Sequence, residues 1–315
     1  MEHRTLGTNG PAVSAIGYGA MVLSPDIYGQ VDDDDSIRTL HAAIERGVTL
    51  IDTARLYGDG HNEALIGRAL DGRRDGVILA TKGGLTGNPP DIQVDGSPAG
   101  LRRDLEASLT ALGVDHIDLY YLHAPDPDVD VESSYGTMAT FVQDGTVRHL
   151  GVSNMALEDI RRCHAMHPIS ASQDQYSLLW REPEDDGRLD LLDELGIALV
   201  AYSPLANGIL AGAKPGVEAG DMRSWMPRFA GDAGSRVAQV ADAFTDIAAR
   251  EGVHPATLAL AWLLHQRPNL VPIAGTRKVA NLDNNVAAVD LDLSADLLAE
   301  LDRTFSPEES IAPMF

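Results

Sequence analysis

Eight short apolar runs recur along the chain, most of them followed by a longer amphipathic stretch, and this rhythm restricts the folds open to it more than any other feature. The runs are AIGYG (15–19), TLID (49–52), VILATK (77–82), IDLYYLH (117–123), HLGVSN (149–154), ASQDQY (171–176), ALVAYS (198–203) and LVPIAG (270–275). Parallel strands need crossovers of a dozen or more residues, usually helical. DSIRTLHAAIERG, PAGLRRDLEASLTALG, VESSYGTMATFVQDG and ALEDIRRCHAMH have that length, several closing on the glycine where a helix stops. Eight strands with helical crossovers close into a (β/α)8 TIM barrel, an α/β fold. A doubly wound sheet is the rival, and the even spacing without a compositional break favours the barrel.

HRTLGTNGPAVSAIGYG carries a TNGP turn and predicts a β-hairpin ahead of the first barrel strand. The acidic run Asp32 to Asp35 suits a helix start, where carboxylates meet the positive end of the dipole. Residues 204–232 have poor periodicity and form a long loop after strand seven, the usual place of a lid or specificity element. With 315 residues and no linker-like segment, residues 1–315 are expected to form one barrel domain.

Charge narrows the choice of partner. Lys and Arg number 24 against 47 Asp and Glu, a formal net charge of −23, which disfavours nucleic acid and anionic membranes. No apolar run reaches the length of a membrane span, MEHRTLGTNG lacks the apolar core of a signal peptide, and the lone Cys163 has no internal partner. A cytoplasmic protein with a small-molecule ligand is the expectation, in an oligomeric state the sequence leaves open, a monomer included. An anionic cofactor would need a local cluster of cations to offset the net repulsion.

Barrel active sites gather at the carboxyl-terminal strand ends. Asp52 ends the second strand, Tyr57 lies in the loop behind it, Lys82 ends the third and His123 ends the fourth. Singly, each has an ordinary account: a turn cap, a packed ring, an ion-paired lysine, a satisfied buried histidine. Together they make a proton-transfer set, because an ammonium beside a phenol stabilises the phenolate and an aspartate anchors the ammonium. On that reading the Tyr57 pKa is brought down toward neutrality. A neutral imidazole at 123 donates to a carbonyl oxygen, and no metal is required. These side chains supply no hydride, so carbonyl reduction calls for a nicotinamide or similar cofactor. No G-x-G-x-x-G segment is present, and no tyrosine has lysine four positions later, so any dinucleotide binds outside a Rossmann site and outside the short-chain dehydrogenase pattern.

IDTARLYGDGHNEALIGRAL, LATKGG, IDLYYLHAPDP, GTVRHLGVSN, AYSPLANGIL and VPIAGTRKVANLDNN occur in the order in which they stand in aldo-keto reductases, and the chain resembles that family over nearly its whole length. DMRSWMPRF further resembles the bacterial branch of broad-specificity aldehyde and ketone reductases. The resemblance implies a (β/α)8 barrel with an extended NADPH across its carboxyl-terminal mouth and the tetrad Asp52, Tyr57, Lys82 and His123. It implies hydride transfer from nicotinamide C4, Tyr57 as general acid, Lys82 anchored by Asp52, and His123 orienting the substrate. By the same resemblance Ser153, Asn154 and Gln173 bond the nicotinamide carboxamide and Tyr202 stacks on its ring. Ser203, Leu205 and Asn207 follow the pyrophosphate, while Gly19, Ala20 and Met21 edge the ribose and nicotinamide. Gly275, Thr276 and Arg277 clasp the 2′-phosphate, with Asn281, Asn284 and Asn285 toward the adenosine. Arg277, with Lys278, is the local positive charge an acidic chain requires, which favours NADPH over NADH.

Ala274 stands where the family usually has proline, Asn284 where it usually has an acid, and Arg55 where an acid or small polar residue is common. Position 124 is Ala, where a larger or basic residue is frequent. Met21, Tyr28, Trp180, Trp225 and Met226 are candidates for an apolar substrate wall, suited to a hydrophobic or aromatic aldehyde. The alternative to an enzyme is a nucleotide-sensing accessory subunit on the same fold, as in channel β-subunits. A metal-dependent barrel hydrolase would need clustered histidines and carboxylates, and only His123 is well placed.

Overall fold

The computed structural model describes residues 1–25, 27–88, 91–212, 221–226, 229 and 231–306, with the side chains of 88, 225, 231 and 232 excepted. Eight parallel strands form one curled sheet: β1 (Tyr18–Gly19), β2 (Leu50–Asp52), β3 (Ile78–Gly83), β4 (Ile117–Leu122), β5 (Val147–Ser153), β6 (Ile169–Gln175), β7 (Ala198–Tyr202) and β8 (Leu270–Pro272). Each of the eight apolar runs of the sequence overlaps one of these strands. The sheet closes between its first and last members. Gly17 N–H donates to Pro272 O at 2.9 Å, Ala274 N–H donates to Gly17 O at 3.2 Å, and Gly17 pairs with Ile273. A Cβ at position 17 would press into the Ile273 and Leu50 side chains, so glycine permits the closing approach.

The predicted crossover helices are present as α1 (Asp33–Glu45), α3 (Pro98–Leu112), α4 (Val131–Gln143) and α5 (Leu157–Met166), with α2 (His61–Leu70) between β2 and β3. Asp32 caps α1 by accepting from Asp35 N–H, and Asp33, Asp34 and Asp35 fill its first turn, which accounts for the acidic run. The amino-terminal strands His3–Thr5 and Ala12–Ser14 form the expected hairpin. It plugs the lower mouth: Leu6 and Val13 are fully buried with the barrel-interior residues, and Thr8 N–H donates to Gly196 O just ahead of β7. A second hairpin, Leu85–Asn88 with Asp91–Val94, follows β3 and has no counterpart in the sequence reading. The described residues of the loop after β7 carry local structure that its periodicity does not suggest. They include short 3-10 turns at Ala206–Ala211 and Met222–Trp225, and helix α6 (Gly231–Arg250) already begins at the loop's end. None of the described helices is long and apolar enough to cross a membrane.

The interior layering places the site. A strand turns alternate side chains inward. Leu50, Ala80, Leu119, Tyr121, Ala171, Ala198 and Val200 fill the barrel interior as one cluster. Two residues further along those strands come Asp52, Lys82, His123, Gln173 and Tyr202, so one step of the pleat brings polar groups from five strand ends into the same layer.

Candidate active site

Lys82 sits at the centre of that layer, fully buried. Its ammonium has three hydrogens and three acceptors: Asp52 Oδ1 at 2.6 Å, Thr53 O at 2.8 Å and Tyr57 Oη at 3.5 Å. Tyr57 is brought there by a sharp reversal after β2. Gly58, Asp59 and Gly60 have φ of 60°, 50° and 90°, three successive left-handed residues that fold the chain back into α2. Such a conformation is strained at Asp59 and needs glycine at 60, where a Cβ would collide with the Arg55 guanidinium.

His123 completes the group, its ring edge-on to Tyr57 with centroids 5.9 Å apart and an interplanar angle of 85°. Burial, and secondly the Lys82 cation, hold its pKa well below the usual histidine range, so the imidazole is neutral. Nδ1 is buried without a partner among the described residues. We therefore assign the ring proton to Nε2.

The electrostatics correct one sequence expectation. The Tyr57 pKa is raised, not lowered: burial outweighs the neighbouring Lys82 charge, and Asp52 adds to the rise. An ammonium engaged at 2.6 Å by a carboxylate is already compensated, and less of its field reaches a phenol 3.5 Å away. For Lys82 desolvation lowers the pKa, but the Asp52 and Tyr57 charges and the hydrogen bonds to both together outweigh it, and the pKa is raised. Burial pushes the Asp52 carboxyl up while Lys82 and Gln173 pull against it. Both Asp52 oxygens receive an N–H, from Lys82 and from Gln173, and we take the pair as ammonium and carboxylate.

Arg55 turns away from the phenol. It pairs with Asp59 at 3.4 Å and lines a groove with Arg103 and Glu106 of α3, and its charge acts on buried Glu63. Asn62, which the sequence reading passed over, is fully buried and joins three segments. It accepts from Thr53 Oγ1 at 2.7 Å and donates to Ala20 O at 2.9 Å and Ser24 Oγ at 3.0 Å. Thr53 is the residue whose carbonyl receives Lys82, so Asn62 ties the Tyr57 turn, the Lys82 acceptor and the loop after β1 together. The signal was an amide five residues after Tyr57, too ordinary in a helix start to single out. Asn62→Ala is expected to destabilise by about 1–3 kcal/mol, read from the denaturant midpoint, because buried partners lose their hydrogen bonds.

The other expected residues line the mouth. Ser153 Oγ donates to Gln173 O at 2.7 Å, and Asn154 Nδ2 donates to His123 O at 3.3 Å and Ser153 Oγ at 3.0 Å. Tyr202 Oη donates to Asn154 Oδ1 at 3.0 Å. Among the described residues, the positive-φ residues other than glycine are Asp59, Asn154, Ser203, Ala206 and Asn207, all in loops at carboxyl-terminal strand ends. Backbone strain collected at one face marks a functional site. The Gln173 amide donates to Asp52 Oδ2 at 2.8 Å.

Gly19, Ala20 and Met21 pass from β1 into a 3-10 turn, and Gly275 packs against Gly19 O where a Cβ would clash. Tyr18 Oη bonds Thr276 O. Arg277 donates to Tyr28 O at 2.8 Å and Gln30 O at 3.1 Å, tying the loop after β8 to the loop after β1, so its two outer nitrogens are engaged by carbonyls. Lys278 is exposed at the start of helix Val279–Val286. On that helix Asn281 is exposed and Asn284 half-buried, and both amide atoms of Asn285 are buried without a partner among the described residues. Leu205 is half-buried ahead of the Ala206 turn.

The substrate-wall candidates separate. Met21, Tyr28, Met222 and Met226 pack in one cluster with Tyr202 and Phe229, but Met226 is only 3% exposed, so it packs within the loop and lines no open wall. Tyr28 accepts from Asn207 Nδ2 at 3.1 Å, and the Arg223 guanidinium lies 5.2 Å from its ring centroid. Trp180 lines a small polar pocket of about 190 Å³ with Asn154, Asp174, Arg188 and Tyr202. The Trp225 side chain lies outside the described residues.

Residues 15–305 match the model of the aldo/keto reductase family. The chain belongs to that family. It is 38% identical over 301 residues to probable aldo-keto reductase 1 of Glycine max, covering 94% of this chain and 86% of the relative. The fold is similar to that of the glycerol dehydrogenase of Gluconobacter oxydans, with a TM-score of 0.86 and 29% identity over 99% of this chain and 98% of the other. An aldo-keto reductase of Bacillus halodurans, solved in its holo form, gives a TM-score of 0.79 at 27% identity over 98% and 97% of the two chains. As an aldo-keto reductase the protein is an oxidoreductase of carbonyl groups with a nicotinamide cofactor.

Proposed function

We propose that this aldo-keto reductase reduces aldehydes and ketones to alcohols with NADPH, Tyr57 acting as the general acid. The observation that carries the reading is the buried chain from Asp52 through Lys82 to Tyr57, faced by a neutral His123. The groups at the mouth fit a nicotinamide dinucleotide. Ser153 and Asn154 offer a hydroxyl and an amide for the carboxamide, and Tyr202 offers a flat ring for stacking. The strained turn at Ser203, Ala206 and Asn207, with Leu205, borders the pyrophosphate path, and Gly19, Ala20 and Met21 border the ribose. Gly275, Thr276, Arg277 and Lys278 open a helix whose dipole favours a phosphate. The buried, unpartnered amide of Asn285 supports a polar group beside that helix, with Asn281 and Asn284 on its outer side.

When bound, the nicotinamide supplies the hydride at its C4. The chain's own residues handle the oxygen. His123 Nε2–H donates to the substrate carbonyl oxygen and fixes its position. Tyr57 Oη gives its proton to that oxygen as negative charge develops there. Lys82, held by Asp52 Oδ1 and Thr53 O, stabilises the phenolate left behind. The high Tyr57 pKa before reaction suits a donor that must keep its proton until the oxygen calls for it.

Loss of nicotinamide absorbance with NADPH and a panel of aldehydes and ketones tests the reading, and no turnover with any of them would refute it. For cofactor choice, Arg277→Ala is expected to weaken NADPH binding by about 10- to 100-fold, the value of charge-assisted bonds to phosphate. NADH binding should fall far less, since only the ties to Tyr28 and Gln30 are lost. Equal losses, measured by nicotinamide fluorescence, would remove Arg277 from the 2′-phosphate.

A further inference from the structure

We infer that Gln173 is a positioning residue of the proton-transfer chain, acting through Asp52, and the inference rests on the proposed reduction. Gln173 lies on β6, across the barrel from β2 and 121 residues away in sequence, and is 2% exposed. Its Nε2 donates to Asp52 Oδ2 at 2.8 Å, while Lys82 Nζ donates to Oδ1 at 2.6 Å. With a different donor on each oxygen, the carboxylate has a single orientation and Oδ1 stays on the ammonium. Asp52 is itself 2% exposed, so bulk water has no ready access to replace the amide.

The surroundings hold Gln173 in that role. Its backbone carbonyl accepts the Ser153 hydroxyl at 2.7 Å, which joins it to the end of β5. Tyr121 lies beneath, its ring centroid 5.8 Å from Lys82 Nζ, in a space kept open by Gly151, where a Cβ would strike the ring. Among the described residues, the titratable groups coupled to Asp52 are thus Lys82 from β3, Tyr57 from the turn after β2 and Tyr121 from β4, with His123 beside Tyr57. Lys82 is the cation among them, and Gln173 is a neutral donor that favours the carboxylate over the carboxylic acid. Removing it should leave Asp52 free to rotate and easier to protonate, and so weaken the anchor of Lys82 and the placement of Tyr57.

Two variants, Gln173→Leu and Gln173→Glu, test this with three readouts: the pH profile of kcat, the NADPH Kd from nicotinamide fluorescence, and the unfolding stability of the protein without cofactor across pH. For Gln173→Leu we expect kcat to fall about 10- to 100-fold near neutrality, the worth of a hydrogen bond to a charged group. Its acid limb should move to higher pH, and the loss in kcat should exceed the loss in NADPH affinity. The stability difference from the parent should be fully present at neutral pH and narrow as pH falls through the Asp52 titration, because the bond matters only to the charged form. Gln173→Glu should regain activity as pH falls, when its protonated carboxyl can again donate to Asp52, and lose it as the two acids ionise together. If Gln173→Leu does not fold, Gln173→Glu carries the same decision. An unchanged pH profile with weakened NADPH binding would overturn the inference in favour of a carboxamide contact alone. A stability difference constant across pH would overturn it in favour of simple packing. Absence of turnover in the parent protein would instead refute the proposed function, and the stability titration would still decide the role of Gln173.

Discussion

Tyr57→Phe is expected to lower kcat by about 10²- to 10⁴-fold, the usual contribution of a positioned general acid, while leaving the NADPH Kd nearly unchanged. The substitution removes one oxygen and keeps the ring that stands edge-on to His123, so packing in the turn survives. Lys82 Nζ loses its longest contact, at 3.5 Å, and retains Asp52 and Thr53. Folding should therefore be intact, and the effect should appear in the chemical step. Near-normal turnover would take Tyr57 out of the mechanism. A companion result concerns pH. Reduction needs the protonated phenol, and burial holds the Tyr57 pKa above its ordinary value near 10. The alkaline fall in reduction rate should accordingly lie at or above pH 10 and vanish in the phenylalanine variant. A limb near neutrality would show that Lys82 prevails over burial after all.

Lys82→Met is expected to affect activity and folding together. It strands a carboxylate that is fully buried and whose remaining donor is Gln173, and breaking a buried pair from one side typically costs about 3–5 kcal/mol. With the ammonium gone, Asp52 takes up a proton more readily. The loss should be largest at neutral and alkaline pH, where the isolated charge must be kept, and smaller in acid, where the carboxyl is neutral. Adding Asp52→Asn to Lys82→Met removes the stranded charge and should recover most of the stability without recovering turnover. Denaturant midpoints of the two variants across pH measure this. A single variant as stable as the parent would contradict the ion-pair account, and recovered turnover in the double variant would contradict the role of Lys82.

The barrel was legible because its signals are local. Each apolar run needs only its own residues to mark a strand, and the two-residue pleat places Asp52 two steps beyond Leu50 and Lys82 two steps beyond Ala80 on the inner face. Helix α1 announced itself through the acids that cap it. The hairpin at 85–94 was missed because the glycine- and proline-rich GGLTGNPP lacks alternation on one of its arms. Met226 was grouped by side-chain type and loop position, which do not tell how deeply a loop residue packs.

For this protein, the order of side chains along the strands by itself determined the eight-stranded α/β barrel, the family and the four residue types gathered at its carboxyl-terminal end. The tertiary structure alone decided how those residues are held and charged. Gln173 meets Asp52 across 121 residues, and Asn62 meets Ala20 and Ser24 across 42 and 38. The sign of the Tyr57 shift depends on how deeply the ring is buried against how fully Asp52 already answers Lys82. Arg55, adjacent to that tyrosine in sequence, turns outward beneath Gly60. Strand patterns are written by neighbours two residues apart, whereas desolvation and cross-barrel hydrogen bonds exist only once the sheet has closed.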